Sequence, residues 1–179
     1  MSEEKKTARQ IIEGYDGPAV RIMEVCGTHT MAIARHGIRQ CLPPQVKLIS
    51  GPGCPVCVTP GGAIDAALAL SMRPDVIICS YGDMLRVPGS AQDTLLKRRG
   101  KGGDVRICLS VSDAIRIAQA HPHQQVVFLG VGFETTAPGT AACITEAATE
   151  NLSNFSVLCM LKKTEPALRT LIEADDFSV

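Results

Sequence analysis

Two cysteines separated by two residues, Cys54 and Cys57 in the run Gly-Pro-Gly-Cys-Pro-Val-Cys, are the first chemical signal in this sequence. At that spacing both sulfurs can point at one metal ion or close a small disulfide ring, and Pro52, Pro55 and the glycines restrict the loop that presents them. The plain alternative is a tight turn that buries two small thiols. A second pair, Cys26 and His29, forms a Cys-x-x-His step in Glu-Val-Cys-Gly-Thr-His-Thr, before a helix expected to start near Thr28 to Thr30. A helix N-terminus stabilises a thiolate, so Cys26 is placed to be an anionic ligand or a nucleophile. His29 can be a metal ligand, a proton carrier for that sulfur, or a hydrogen-bonded helix cap.

The other five cysteines carry less. Cys79, Cys108 and Cys159 lie inside apolar strand patterns, Cys143 on a helical pattern and Cys41 at a helix end before Pro43, so all five read as small buried hydrophobes. Asp83, Asp113 and Glu134 follow strand patterns and can position a metal-bound group or a proton, although helix capping explains Asp113 equally well. Gly-Val-Gly-Phe-Glu-Thr-Thr at 130–136 lacks the third glycine of a dinucleotide fingerprint. Arg-Arg-Gly-Lys-Gly-Gly at 98–103 reads as a solvated helix end and turn and not as a phosphate cradle, because its glycines precede a strand.

The elements that must position these residues are legible as apolar β-branched runs: Val20 to Val25, Val46 to Ile49, Val76 to Cys79, Val105 to Leu109, Val126 to Leu129 and Phe155 to Leu158. Each is continuous and not alternating, which predicts a short strand buried on both faces. Helical patterns lie between them, carried by Ile64, Ala67 and Leu68, by Ala114, Ile115 and Ala118, and by Leu168, Leu171 and Ile172. Strand starts fall roughly 20 to 30 residues apart, the length of one βαβ unit. The fold class expected is therefore α/β, with doubly wound, mainly parallel sheets flanked by helices in Rossmann-like halves. Ser90 with Asp93 three residues on predicts a capping-box helix start, and Lys97 to Arg99 before Gly100 its end. In a parallel sheet the segments after the strands gather at the carboxyl edge, where open α/β folds bind ligands. The expected division is a peripheral helix over 1–18, an α/β domain over 19–122 carrying the cysteine motifs, and the start of a second α/β domain over 123–179. The last residues, from Glu173, read as the beginning of another strand.

Composition bounds the partners. Among 179 residues, 18 Lys+Arg balance 18 Asp+Glu, which argues against a surface built for nucleic acid or an anionic membrane. A 45% hydrophobic share with 20% charged is that of a folded domain, and the lack of Trp with only two Tyr and four Phe removes the stacking platforms of single-strand binders. The charged opening Met-Ser-Glu-Glu-Lys-Lys has no apolar signal region, and no run approaches the roughly 18 apolar residues of a spanning helix. A cytoplasmic protein is expected, in which eight cysteines point to metal, redox chemistry or burial more than to structural disulfides.

Taken together, Glu-Val-Cys-Gly-Thr-His-Thr at 24–30, Gly-Pro-Gly-Cys-Pro-Val-Cys-Val-Thr-Pro at 51–60, Gly-Asp-Met-Leu-Arg-Val-Pro-Gly at 82–89 and Gly-Phe-Glu-Thr-Thr-Ala-Pro at 132–138 resemble the HypD family of nickel-iron hydrogenase maturation proteins. The resemblance runs from about residue 20 to the end. It implies a scaffold, more than a turnover enzyme, on which an iron atom acquires cyanide and carbon monoxide ligands. Cys26 would hold the iron together with a cysteine of a small HypC-like chaperone, Cys54 and Cys57 would form a redox-active dithiol facing it, and a HypE-like protein would bring cyanide. Family members also carry a 4Fe-4S cluster in a C-terminal region whose ligands have no positions in this sequence, which reads as roughly the first half of a family member. Low-spin iron suits a thiolate such as that of Cys26. A nearby dithiol can supply two electrons, with His29 as proton carrier or outer-shell donor.

Two other readings use the same residues. Cys26, His29, Cys54 and Cys57 supply three sulfurs and one imidazole, a tetrahedral set for structural zinc. Alternatively Cys54 and Cys57 alone would serve a thiol-disulfide oxidoreductase.

Overall fold

All six apolar runs become strands in the computed structural model, which describes residues 6–174 apart from Pro52. Strands β1 (Val20–Glu24) and β2 (Val46–Ser50) pair in parallel, with Val20 opposite Val46 and Glu24 opposite Ser50. Strands β3 (Val76–Ser80), β4 (Val105–Ile107), β5 (Gln125–Gly132) and β6 (Phe155–Leu161) form a second parallel sheet in the order β4-β3-β5-β6. The expected α/β class with parallel sheets flanked by helices is the one observed.

The chain divides into two units, the first made of the residues up to Cys54 together with those from Glu165 onward, the second of Pro55–Thr164. The boundary expected between residues 122 and 123 falls inside the second unit, because β5 pairs with β3 on one side and β6 on the other. The spacing of apolar runs reports the length of each βαβ unit but not which strands become neighbours.

In the second unit a period of two runs beneath the continuous apolar stretches. Val76 and Ile78 of β3 and Val127, Leu129 and Val131 of β5 face one side, where helix α4 (Gly61–Leu70) contributes Ile64, Ala67 and Leu68, and α5 (Leu95–Gly100) contributes Leu95. Ile77, Cys79, Val126 and Phe128 face the other, against α6 (Val111–Ala120) and α7 (Ala137–Thr149). Both faces are covered, so both strand residues of each pair had to be apolar. The first helix on this path starts at Thr94, whose Oγ1 accepts the Lys97 N–H, and not at Ser90. Ser90 instead gives its N–H and hydroxyl to Asp65 at 2.9 and 2.6 Å, and Asp93 pairs with Arg98 at 2.6 Å. The helix ends as expected, with Lys97, Arg98 and Arg99 in its last turn and Gly102 at φ +99°.

The first unit is built differently. It holds α1 (Ala8–Glu13), α2 (Gly27–Arg35), α3 (Ile38–Cys41) and most of α8 (Thr164–Ile172) around the two-stranded sheet. The helix expected over 1–18 is realised as α1, capped by Thr7 and Gln10; residues 1–5 and, of the strand start expected from Glu173, all residues after Ala174 lie outside the described residues. Contrary to the expectation of strands buried on both faces, Ile22 is 48% exposed, and among the described residues of this unit Glu24 alone is buried. An apolar run states that side chains can be buried and does not say how many layers are present to bury them. Among the described residues no helix is long and apolar enough to cross a membrane.

Candidate functional site

In the first unit Cys26 and the Gly53–Cys54 part of the second cysteine motif come to one sheet edge because β1 and β2 run parallel in register and end together. Beyond β1, Cys26 takes an extended conformation (φ −148°, ψ 124°) and becomes the N-cap of α2, its carbonyl accepting the Thr30 N–H at 3.1 Å. This is the placement that favours a thiolate, with the helix starting one to three residues earlier than the sequence spacing predicts. Beyond β2, the Gly51 N–H donates to the Glu24 carbonyl at 2.7 Å. Gly53 lies so close to the other strand's continuation that a Cβ there would stand 2.7 Å from the Cys26 nitrogen. Only glycine allows this approach, and it sets the backbone preceding Cys54 directly against that of Cys26.

Beneath this edge the Glu24 side chain, 4% exposed, receives Arg39 Nη2 on Oε1 at 2.7 Å and the Ser50 hydroxyl at 3.3 Å. Among the described residues its Oε2 is buried without a hydrogen-bond partner. The carboxylate thus ties the ends of β1, β2 and α3 together. His29 sits in the first turn of α2, exposed and without a hydrogen bond among the described residues, so it does not cap the helix.

Cys57 belongs to the second unit. It stands in a turn closed by the Thr59 hydroxyl on the Pro55 carbonyl at 2.9 Å, immediately before α4. It lines an open groove of about 460 Å³ together with Val56, Ile64, Asp83, Arg86 and Val87. Asp83 and Arg86 are carried by a 3₁₀ turn, Gly82–Arg86, that follows β3 at the point where the strand order reverses from β4 to β5, the usual ligand position of an open α/β sheet. Asp83 Oδ1 accepts the Met84 N–H at 2.9 Å. The Asp65–Ser90 bonds pin the end of this segment to α4, and those bonds hold the Asp65 carboxyl below its ordinary pKa.

The two remaining carboxylates serve the backbone. Asp113 accepts the N–H groups of Leu109 and Ser110 at 2.9 and 3.0 Å as the far member of a capping box on α6, which lowers its pKa. Glu134 accepts the Thr164 hydroxyl and N–H, both at 2.7 Å, at the start of α8, and is lowered in pKa by them. Cys79, Cys108 and Cys143 are buried as expected, with the Cys79 thiol pushed up in pKa by its hydrogen bond to Cys108 and by burial. Cys159 is exposed and Cys41 half-buried, so the packing role read for them does not hold in full. Cys159 follows a strand pattern on the sheet's edge strand, where alternation returns one residue in two to solvent. Among the described residues no three of His, Cys, Asp and Glu gather closely enough to hold a metal ion.

A family model described as HypD, hydrogenase formation hypA family, matches residues 3–179. The chain belongs to the HypD family. A hydrogenase maturation factor HypD of Rhizobium leguminosarum bv. viciae is 47% identical over 173 residues, covering 96% of this chain and 45% of that protein. A HypD of Azotobacter vinelandii is 51% identical over 171 residues (93% and 45%), and that of Escherichia coli K12 is 48% identical over 157 (88% and 42%). The chain therefore spans less than half the length of these relatives. Sequence reasoning passed over three residues of this HypD-family site. Glu24 and Gly53 stood inside quoted motifs but gave no sign of burial or close approach, and Arg86 in Gly-Asp-Met-Leu-Arg went unremarked because its neighbour across the groove is 29 positions away.

Proposed function

We propose that this chain carries the thiol half of a scaffold for hydrogenase maturation, on which an iron atom, as cargo, is fitted with cyanide and carbon monoxide. The observation that carries the reading is Cys26 at the N-terminus of α2 with the Gly53 backbone laid against it, in a chain of the HypD family. In this reading Cys26 supplies one thiolate to iron, a HypC-like partner supplies a second, and a HypE-like partner delivers the cyanide group. Cys54 and Cys57 are available as a dithiol reductant, closing to a disulfide as two electrons and two protons pass to the HypE-like partner's cyanide carrier. His29, exposed on the first turn of α2, is available to carry a proton at that edge. The 4Fe-4S cluster implied by the resemblance finds no ligand set among the described residues, and no step is assigned to it.

Loaded anaerobically with iron in the presence of both partners, the protein is expected to give nitrile and carbonyl infrared bands that Cys26→Ala abolishes. Bands that survive in Cys26→Ala would overturn the assignment of Cys26. Stoichiometric zinc in the purified protein, with maturation indifferent to Cys26, would point to the structural metal site instead.

A further inference from the structure

The groove beside Cys57 has a chemistry of its own. Most arginines of the described chain are paired with a carboxylate: Arg9 with Glu13, Arg39 with Glu24, Arg73 with Asp75, Arg98 with Asp93, Arg106 with Asp104, Arg116 with Asp113 and Arg169 with Glu165. Arg86 is not, although Asp83 lies three residues before it on the same 3₁₀ turn, with one oxygen engaged by the Met84 N–H. A guanidinium left unpaired on a groove wall presents a planar set of donors suited to a carboxylate. Apart from Thr59, Gly61 and Asp83, the rest of the lining is apolar, made of Val56, Ile64, Val87 and Pro88, and the volume of about 460 Å³ suits a small organic molecule. Cys57 is exposed on the same groove.

We propose that this groove selects a carboxylate-bearing disulfide, with Arg86 binding the carboxylate, the apolar wall taking the carbon body and Cys57 attacking the sulfur. The Cys57 thiolate forms a new S–S bond with the near sulfur as the ligand's own S–S bond breaks. The leaving thiolate takes a proton from water, so Cys57 is oxidised to a mixed disulfide and one half of the ligand is reduced to a thiol. The Asp65–Ser90 bonds keep the Arg86 wall in place against α4. The inference rests on the redox part of the proposed function and not on iron, and its test uses no metal.

The probes are two aromatic disulfides of similar size, the dianionic dithiobis(nitrobenzoate) and the neutral dithiodipyridine. Rates are followed at each cysteine by mass spectrometry of the intact 179-residue chain. The anionic-to-neutral rate ratio at Cys57 is expected to fall about fivefold in Arg86→Gln, the size of one exposed charge pair, and to be largely kept in Arg86→Lys. Ratios at exposed Cys54 and Cys159 are expected to stay as they are. In the unsubstituted protein the Cys57 ratio is expected to decline as salt rises. A ratio unchanged in Arg86→Gln, a fall shared equally by Cys54 and Cys159, or a wild-type ratio indifferent to salt would each overturn the proposal. Loss of the iron-bound infrared bands with the Cys57 selectivity intact would sink the iron reading and leave this one standing.

Discussion

Each unit of the chain is stabilised internally, and by different forces. In the second, a four-stranded sheet is covered on both faces, and Phe128, Ile77 and Ile78 are fully buried. In the first, among the described residues, the single buried side chain is that of Glu24, and the apolar residues of β1 and β2 are half-buried or exposed. Cys26, His29 and Cys54 all belong to that first unit. Its shape depends on a carboxylate with two donors and on glycines that let two backbones touch. The contrast teaches that Cys26 and Cys54 sit where the chain is least buried and most dependent on individual contacts, which is the part of a protein expected to open most readily.

The sharpest way to break this comparison is to remove one large apolar side chain from each unit. Phe128→Ala deletes a fully buried ring that packs edge-on to Tyr81 at 5.4 Å, and is expected to cost about 3–5 kcal/mol in equilibrium denaturation. Ile22→Ala, at a position 48% exposed, is expected to cost under about 1 kcal/mol. Equal losses would show that the first unit has a core after all. A glycine pair asks the same question of the backbone. Gly53→Ala forces a Cβ to 2.7 Å from the Cys26 nitrogen and is expected to cost about 1–3 kcal/mol and to raise the alkylation rate of Cys54. Gly139→Ala, in the first turn of α7 with nothing within 4 Å of the new Cβ, is expected to be neutral or to stabilise by about 0.5–1 kcal/mol. Next comes the charge. Glu24→Ala removes the charged hydrogen bond from Arg39 and is expected to cost about 1–3 kcal/mol, with faster hydrogen exchange at the Gly51 amide. An unchanged Gly51 amide would mean that the glutamate does not hold the two strand ends together.

Much of this arrangement is legible in the sequence, and the failures share one cause. The six strands, their parallel pairing and the position of each motif just after a strand follow from local composition, because β-branched runs and turn residues carry their own preferences. Which strands become neighbours does not follow, so Val126 to Leu129 was read as opening a new domain when β5 is an inner strand of the second sheet. Ser90 has the residue type and spacing of a helix cap, but Asp65, 25 positions earlier, claims both its donors and leaves the capping to Thr94. Nothing near Glu24 in the sequence names the partners of its carboxylate, which are Arg39 and Ser50, 15 and 26 positions away. In each case the deciding partner is distant in sequence, and single-sequence patterns register only near neighbours.

The smallest expected effect concerns a residue for which two readings were open, and it separates them by pH. Asp113 stands after a strand, where a catalytic carboxylate would stand, yet its oxygen accepts the Leu109 and Ser110 N–H groups at the start of α6. Those bonds lower its pKa in the folded chain. A carboxylate with a depressed folded value adds stability that is fully present above the ordinary Asp value of about 3.9, and loses it as pH falls through the folded value. Asp113→Asn is therefore expected to lower the melting temperature at neutral pH by less than Gly53→Ala does. That difference from the unsubstituted chain should shrink progressively below about pH 4, as the native carboxyl protonates and its bonds weaken. The selectivity of Cys57 for anionic disulfides is expected to be indifferent to the substitution, since Asp113 does not line that groove. A thermal deficit that persists unchanged at low pH would mean that the capping charge is not what Asp113 contributes, and a shift in Cys57 selectivity would return this carboxylate to the site.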